Sequence, residues 1–218
     1  MPTHLQNILN NGIINIDTLL DLNKLDNSKL CDFLSNKSNV MVAIYFYCKL
    51  GMSDNLNYIL RIITNNTQLH QYIKNNKMIN DFLCSACYND YYDIVKILLE
   101  FGADHNYLDA KPLLIVVQQN NFNIMELLLK HITDTNSISD KMLELCCVNN
   151  NFEIFKLFID KGVYLLDSYK NLLDLCLENK SGECTKLLMK YANENMNYKT
   201  FNSPKIFDEE DFLEFSDN

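Results

Sequence analysis

The sequence predicts an all-α chain built as a helix–turn–helix solenoid, and three observations carry that prediction. Apolar positions recur at a constant interval of thirty residues; within each interval they fall on two helical faces; and turn-forming residues separate the faces. Ile97-Leu98-Leu99 returns as Leu127-Leu128-Leu129, Leu157-Phe158-Ile159 and Leu187-Leu188-Met189. Ile94 returns as Ile124, Ile154 and Cys184; Leu83 as Leu113, Leu143 and Leu173; Ala86 as Val116, Cys146 and Cys176. A fixed period of this size marks a repeat architecture. A helix pair this short cannot bury its apolar face alone, so successive pairs must stack.

In chain order, residues 1–38 hold Leu5, Ile8 and Leu9, then Ile16, Leu19, Leu20 and Leu22, then Leu30, Phe33 and Leu34. Asn10-Asn11-Gly12 and Leu25-Asp26-Asn27 separate these groups, so two or three short helices are expected. They read as a helical N-terminal cap over the open end of the first repeat. A degenerate interaction module such as an F-box-like segment is the rival reading, which no residue specifies. Residues 39–76 predict a degenerate repeat, with Val42 to Cys48 as first helix, Gly51 as turn, and Leu56, Ile59, Leu60 and Ile63 as the face of the second. The extra length after Thr64 predicts a longer connection or an additional helical turn carrying Leu69, Tyr72 and Ile73.

Four more regular copies of about thirty residues follow within 77–196, near 77–109, 110–139, 140–169 and 170–196. In the first, Leu83, Ala86 and Cys87 lie three and four apart on one helical face, and Ile94, Ile97, Leu98 and Phe101 do so on a second. Tyr88-Asn89-Asp90-Tyr91, Gln118-Gln119-Asn120-Asn121, Val148-Asn149-Asn150-Asn151 and Glu178-Asn179-Lys180-Ser181 are the turns between them. Gly102 and Gly162 stand where a left-handed C-cap is wanted. Beyond residue 197 the pattern stops: Asn202-Ser203-Pro204 breaks any helix, and the segment from Phe207 to Asn218 is acidic with interleaved Phe207, Phe212 and Phe215. The tail 197–218 reads as disordered, because so short a charged segment cannot offset its ordering entropy. The alternative is an acidic-aromatic linear motif built on Phe207, Phe212, Leu213 and Phe215 that folds onto a partner or back onto the solenoid.

Leu83-Cys84-Ser85-Ala86, the Asp93-to-Leu99 helix and the Gly102-Ala103-Asp104-His105-Asn106 exit together resemble an ankyrin repeat, and Lys111-Pro112-Leu113 keeps the Pro-Leu of that family's opening. The resemblance is closest over 77–109 and continues to about residue 192. The period departs from the family's 33 residues, so short β-turn fingers are expected. Ile132 and Ala192 replace exit glycines. Abundant asparagine and absent tryptophan also resemble the style of ankyrin proteins encoded by AT-rich genomes, those of giant amoebal DNA viruses in particular. The resemblance implies that first helices and fingers line a concave face, with second helices on the convex back.

At 218 residues and 48% hydrophobic, the chain can bury a continuous core. A net charge of -9 argues against nucleic acid or an anionic membrane as the main partner. The N-terminus lacks the regions of a signal peptide, and the run from Val40 to Cys48 is about half the length of a membrane-spanning helix. The expected location is therefore the cytoplasm, the host's if the source is viral. Most of the eight cysteines fall on repeat slots, as small buried hydrophobes would, without a disulfide framework.

Catalytic chemistry finds no support. Cys84-Ser85-Ala86-Cys87 has CxxC spacing, but no strand precedes it to build a redox site and no second pair completes a zinc site. His4, His70, His105 and His131 are isolated, and no Gly-rich phosphate loop, HExxH or GxSxG motif is present. We expect no enzyme activity, no cofactor, no metal, and a chain that is monomeric alone.

A binding surface remains. By the resemblance, the variable positions at the ends of first helices are Tyr88 and Asn89, Gln118 and Gln119, Val148 and Asn149, and Glu178 and Asn179. The finger positions are Tyr107, Asp109 and Lys111, then Asn136, Ser137 and Ser139, then Tyr164, Leu166 and Ser168. Tyr88, Tyr107 and Tyr164 draw most weight, because tyrosine supplies contact area at low entropy cost. The implied function is recognition of a protein partner as an adaptor or scaffold, the alternative being a structural or regulatory role exercised through the tail.

Overall fold

The recurring apolar faces become helical hairpins. A computed structural model describes residues 16–75, 77–133, 135, 137–163, 165 and 167–195, and no strand occurs among the described residues. The chain divides after Thr133 into two compact units. The first contains α1 (Ile16–Leu20), a 3-10 turn (Leu22–Lys24), α2 (Asn27–Ser35), α3 (Lys37–Leu50), α4 (Ser53–Thr64), α5 (Thr67–Asn75), α6 (Met78–Tyr88), α7 (Tyr92–Phe101), α8 (Tyr107–Gln118) and α9 (Phe122–His131). The second contains α10 (Asp140–Asn149), α11 (Phe152–Asp160), α12 (Tyr169–Glu178) and α13 (Gly182–Asn195).

In the first unit α3, α6 and α8 pack in succession as one layer, and α4, α7 and α9 as a second. This two-layer stacking of hairpins is the ankyrin-type arrangement. Helices α3 and α4 form one such hairpin. Gly51 turns it in the left-handed region at φ 69°, and Leu56, Ile59, Leu60 and Ile63 are all buried. The N-terminal elements are tied in by Tyr47, which is fully buried and donates its hydroxyl to the Leu19 carbonyl at 2.7 Å. Burial pushes that hydroxyl's pKa up to about 12. Residues 1–15, including Leu5, Ile8 and Leu9, lie outside the described residues.

Two expectations change. The extra turn after Thr64 is a nine-residue helix, α5, which buries Leu69 and Ile73. Tyr72 stays half-buried, with the Lys37 ammonium 4.7 Å above its ring. The buried set of α7 is Ile94, Val95, Leu98 and Leu99, while Ile97 and Phe101 are only half-buried. Helices α4, α6 and α9 all pack on α7, so its apolar arc is wider than one stripe and shifted toward Val95 and Leu99. Phe101 instead faces His70 of α5, ring centroids 5.0 Å apart.

The exits follow the glycines. Gly102 (φ 101°) and Gly162 (φ 89°) are left-handed, and the next residues close the turns, Ala103 N–H to Leu98 C=O at 2.9 Å and Val163 N–H to Phe158 C=O at 3.1 Å. Ile132, β-branched, stays extended at φ −88°, ψ 121°. Ala192 does not stop α13, which runs on to Asn195. In the shortened finger after Asn106, Leu108, Asp109 and Ala110 form a left-handed turn at φ 50°, 55° and 58°, and the right-handed part of α8 begins only after it. Pro112 falls in that helix's first turn, where its missing N–H costs nothing. In the second unit, α10 packs on α12 and α11 on α13.

Candidate interaction surface

The turn joining first and second helix is the most regular local structure in the chain. Asp90, Asn120, Asn150 and Lys180 each adopt a left-handed conformation, with φ of 58°, 53°, 52° and 56°. The following N–H closes a six-residue ring in every copy: Tyr91 to Ala86 C=O (3.0 Å), Asn121 to Val116 (3.1 Å), Asn151 to Cys146 (2.9 Å) and Ser181 to Cys176 (2.8 Å). These are Schellman closures, with short polar residues where the backbone turns left-handed, Lys180 excepted.

Side chains then link neighbouring copies. Within the first unit, Gln119 donates to the Tyr88 carbonyl at 2.7 Å, and the Asn121 amide donates to the Asp90 carboxylate. Tyr91 lays its ring over the Gly51 turn, where an added Cβ would meet the ring at 3.2 Å. Within the second unit, the buried Ser181 hydroxyl donates to the Cys147 carbonyl, Asn171 to the Glu144 carboxylate at 2.8 Å, and Ser168 to Asp140 at 3.2 Å.

Several expected contact residues have fold partners of their own. Asn89 and Asn179 turn back to cap their helices at the Ser85 and Leu175 carbonyls, at 2.7 and 2.8 Å. Gln119 makes the inter-turn bond just described. Tyr107 is half-buried; desolvation, then its hydrogen bond to Asp81, raises its pKa. Asp109 is an exposed member of the left-handed turn, and Lys111 is exposed at the start of the right-handed part of α8. Gln118, Val148, Asn149 and Glu178 are exposed, as is Ser139, while Ser137 is half-buried. Tyr88 is the outstanding residue: it is 66% exposed, yet its carbonyl is held by Gln119. Asn136, Tyr164, Leu166, Phe207, Phe212, Leu213 and Phe215 lie outside the described residues.

Among the exposed apolar residues of the first unit that the sequence reading missed are Tyr92, Phe122 and Leu108. Tyr92 and Phe122 open α7 and α9 in the same slot of successive copies. Their signal was an aromatic recurring at thirty residues outside the i, i+3, i+4 core set. Leu108 is exposed because the left-handed turn points it away from the slot a right-handed helix would give it.

The cysteines behave as packing groups. Seven are buried and free, and Cys31 is exposed. Desolvation pushes the pKa of Cys84 up to about 11 and that of Cys87 to about 12, the opposite of an activated redox thiol. Among the described residues, no group of three or more His, Cys, Asp or Glu could hold a metal ion. No described helix is long and apolar enough to cross a membrane.

Residues 83–167 match the family model for ankyrin repeats (3 copies). That span runs from the middle of α6 to the approach to α12. No curated protein matches the chain.

Proposed function

We propose that the chain is a non-catalytic recognition module, an adaptor or scaffold, that binds a protein partner through the first-helix layer of its ankyrin repeats. The carrying observation is Tyr88. A large aromatic two-thirds exposed at the end of α6 buries little in the fold, while the Gln119 bond to its carbonyl holds its backbone. An exposed tyrosine on a fixed backbone suits an interface anchor, since it offers a large contact area and little backbone entropy remains to be lost on binding. Gln118 ends the neighbouring first helix and is likewise exposed. By the ankyrin resemblance, both border the concave face.

The test compares capture from cells of the natural source by the parent and by Tyr88→Ala with Gln118→Ala. The double variant is expected to lose the retained partner while melting like the parent, because neither side chain is buried. Unchanged capture would remove the first-helix layer as the binding face. The alternative assigns the contact to the tail 197–218, on the strength of the phenylalanines interleaved with its acids. A chain truncated before Ser203 would then lose the partner, whereas full capture by it would dismiss the tail. A viral origin, and with it a host protein as partner, rests on composition alone.

A further inference from the structure

The exposed aromatics of the first unit are not scattered. Tyr88 ends α6, Tyr92 opens α7 four residues later, and Phe122 opens α9 one period on, so all three belong to the edge formed by the helix–helix turns. Their exposures are 66%, 40% and 39%. Single exposed apolar residues are ordinary, but a row of aromatics on one edge is not. The fold uses the neighbouring Tyr91 as a packing group over Gly51, and it leaves these three turned to solvent.

The two turns that carry these aromatics are charged with one sign. Asp90 and Asp93 lie among the aromatics, and the turn segments 88–93 and 118–123 contain no Lys, Arg or His. The two carboxylates outweigh the partial positive charge of the α7 N-terminus. Both turns have fixed backbones, through the Schellman closures and the Asn121–Asp90 and Gln119–Tyr88 bonds. We infer that this edge is a docking surface for an arginine-bearing basic peptide segment of the partner. Guanidinium groups stack on the aromatic faces and bond to the carboxylates, two interactions that one planar cation makes together. The inference rests on the recognition reading above, extends it from Tyr88 across the adjoining turns to Tyr92 and Phe122, and adds a partner chemistry.

The probe is a synthetic arginine–glycine–serine peptide titrated into the full chain by fluorescence anisotropy. Aspartate-for-arginine and lysine-for-arginine peptides serve as comparisons. The expected result is salt-sensitive binding of the arginine peptide, weaker binding of the lysine peptide and none of the acidic one. Tyr92→Ala with Phe122→Ala should weaken it at least about tenfold, as should Asp90→Asn with Asp93→Asn. Asn tolerates the left-handed backbone of position 90, so the latter variant keeps its fold. Removing two charges elsewhere, by Glu100→Gln with Asp160→Asn, should leave binding nearly unchanged. Equal loss in that control would reduce the effect to general attraction by an acidic chain and overturn the inference, as would undiminished binding to the edge variants. A cellular partner lost by Tyr88→Ala with Gln118→Ala but kept by Tyr92→Ala with Phe122→Ala would overturn the edge while leaving the recognition reading standing.

Discussion

At the scale of single residues, buried thiols give the chain a pH dependence. Cys146 and Cys176 occupy the slot that Ala86 holds in the first regular copy, which is why their burial was legible from spacing alone. The network among them was not. Cys176 shares hydrogen bonds with Cys147 and Cys184; the Cys147 bond and burial, opposed by the Cys184 bond, push its pKa up to about 12, and Cys48, Cys146 and Cys184 are also raised. An unfolded thiol ionises near pH 9, whereas the folded chain keeps these protonated. Stability is therefore fully present below about pH 9 and falls as pH climbs from there toward the folded values, by up to about 1.4 kcal/mol per unit for each thiol. Urea midpoints measured from neutral to alkaline pH should show the decline. Because Tyr and Lys titrate in the same range, the deciding comparison is with Cys146→Ala and Cys176→Ala. Each restores the residue of the equivalent slot and should flatten the alkaline slope; a slope identical to the parent's would mean these thiols ionise freely in the fold.

At the scale of elements, the helices and most of their stops followed from local chemistry. The thirty-residue recurrence placed both helices of every copy, and glycine marked the left-handed exits at Gly102 and Gly162. The turn at Leu108-Asp109-Ala110 was not legible, because neither Leu108 nor Ala110 favours a left-handed backbone and Asp109 alone does not mark one. Its one trace was the shortened period, which leaves too few residues for a full finger. Left-handed conformation costs roughly 1–2 kcal/mol per non-glycine residue, while glycine's added chain entropy costs about 0.5–1. Asp109 is exposed and has φ 55°, so Asp109→Gly should stabilise the chain by about 0.5–1 kcal/mol, a rise of roughly 1–4 °C in melting temperature. Asp109→Val should do the reverse, since a β-branched side chain fits that conformation worst. Two variants shifting in the same direction would show that the turn relaxes to a right-handed form in solution. Tyr92 and Phe122 belong to this scale as well. A helix's first residue lies outside the i, i+3, i+4 set, so their thirty-residue recurrence was the single trace of them in the sequence.

For the whole molecule, periodicity reports helix faces and not which copies share a core. The recurrence passes from Leu113 to Leu143 and from Ile124 to Ile154 without interruption, although the chain divides after Thr133. Beside that boundary Ile132 holds an extended conformation where Gly102 and Gly162 turn left-handed. The first unit carries a core of its own: two layers of three helices, with Tyr47 locking the N-terminal elements onto α3. Repeat stability is approximately a sum of hairpin and nearest-neighbour terms, so a unit with three stacked hairpins has the interfaces it needs. Residues 1–133 expressed alone should therefore be helical and unfold in one cooperative transition, coincident by far-UV circular dichroism and tyrosine fluorescence. In that fragment Tyr47→Phe removes only the hydroxyl bonded to the Leu19 carbonyl and should cost about 1–2 kcal/mol. A fragment that melts gradually, or a Tyr47→Phe variant as stable as its parent, would show that the first unit draws its order from the rest of the chain and not from its own core.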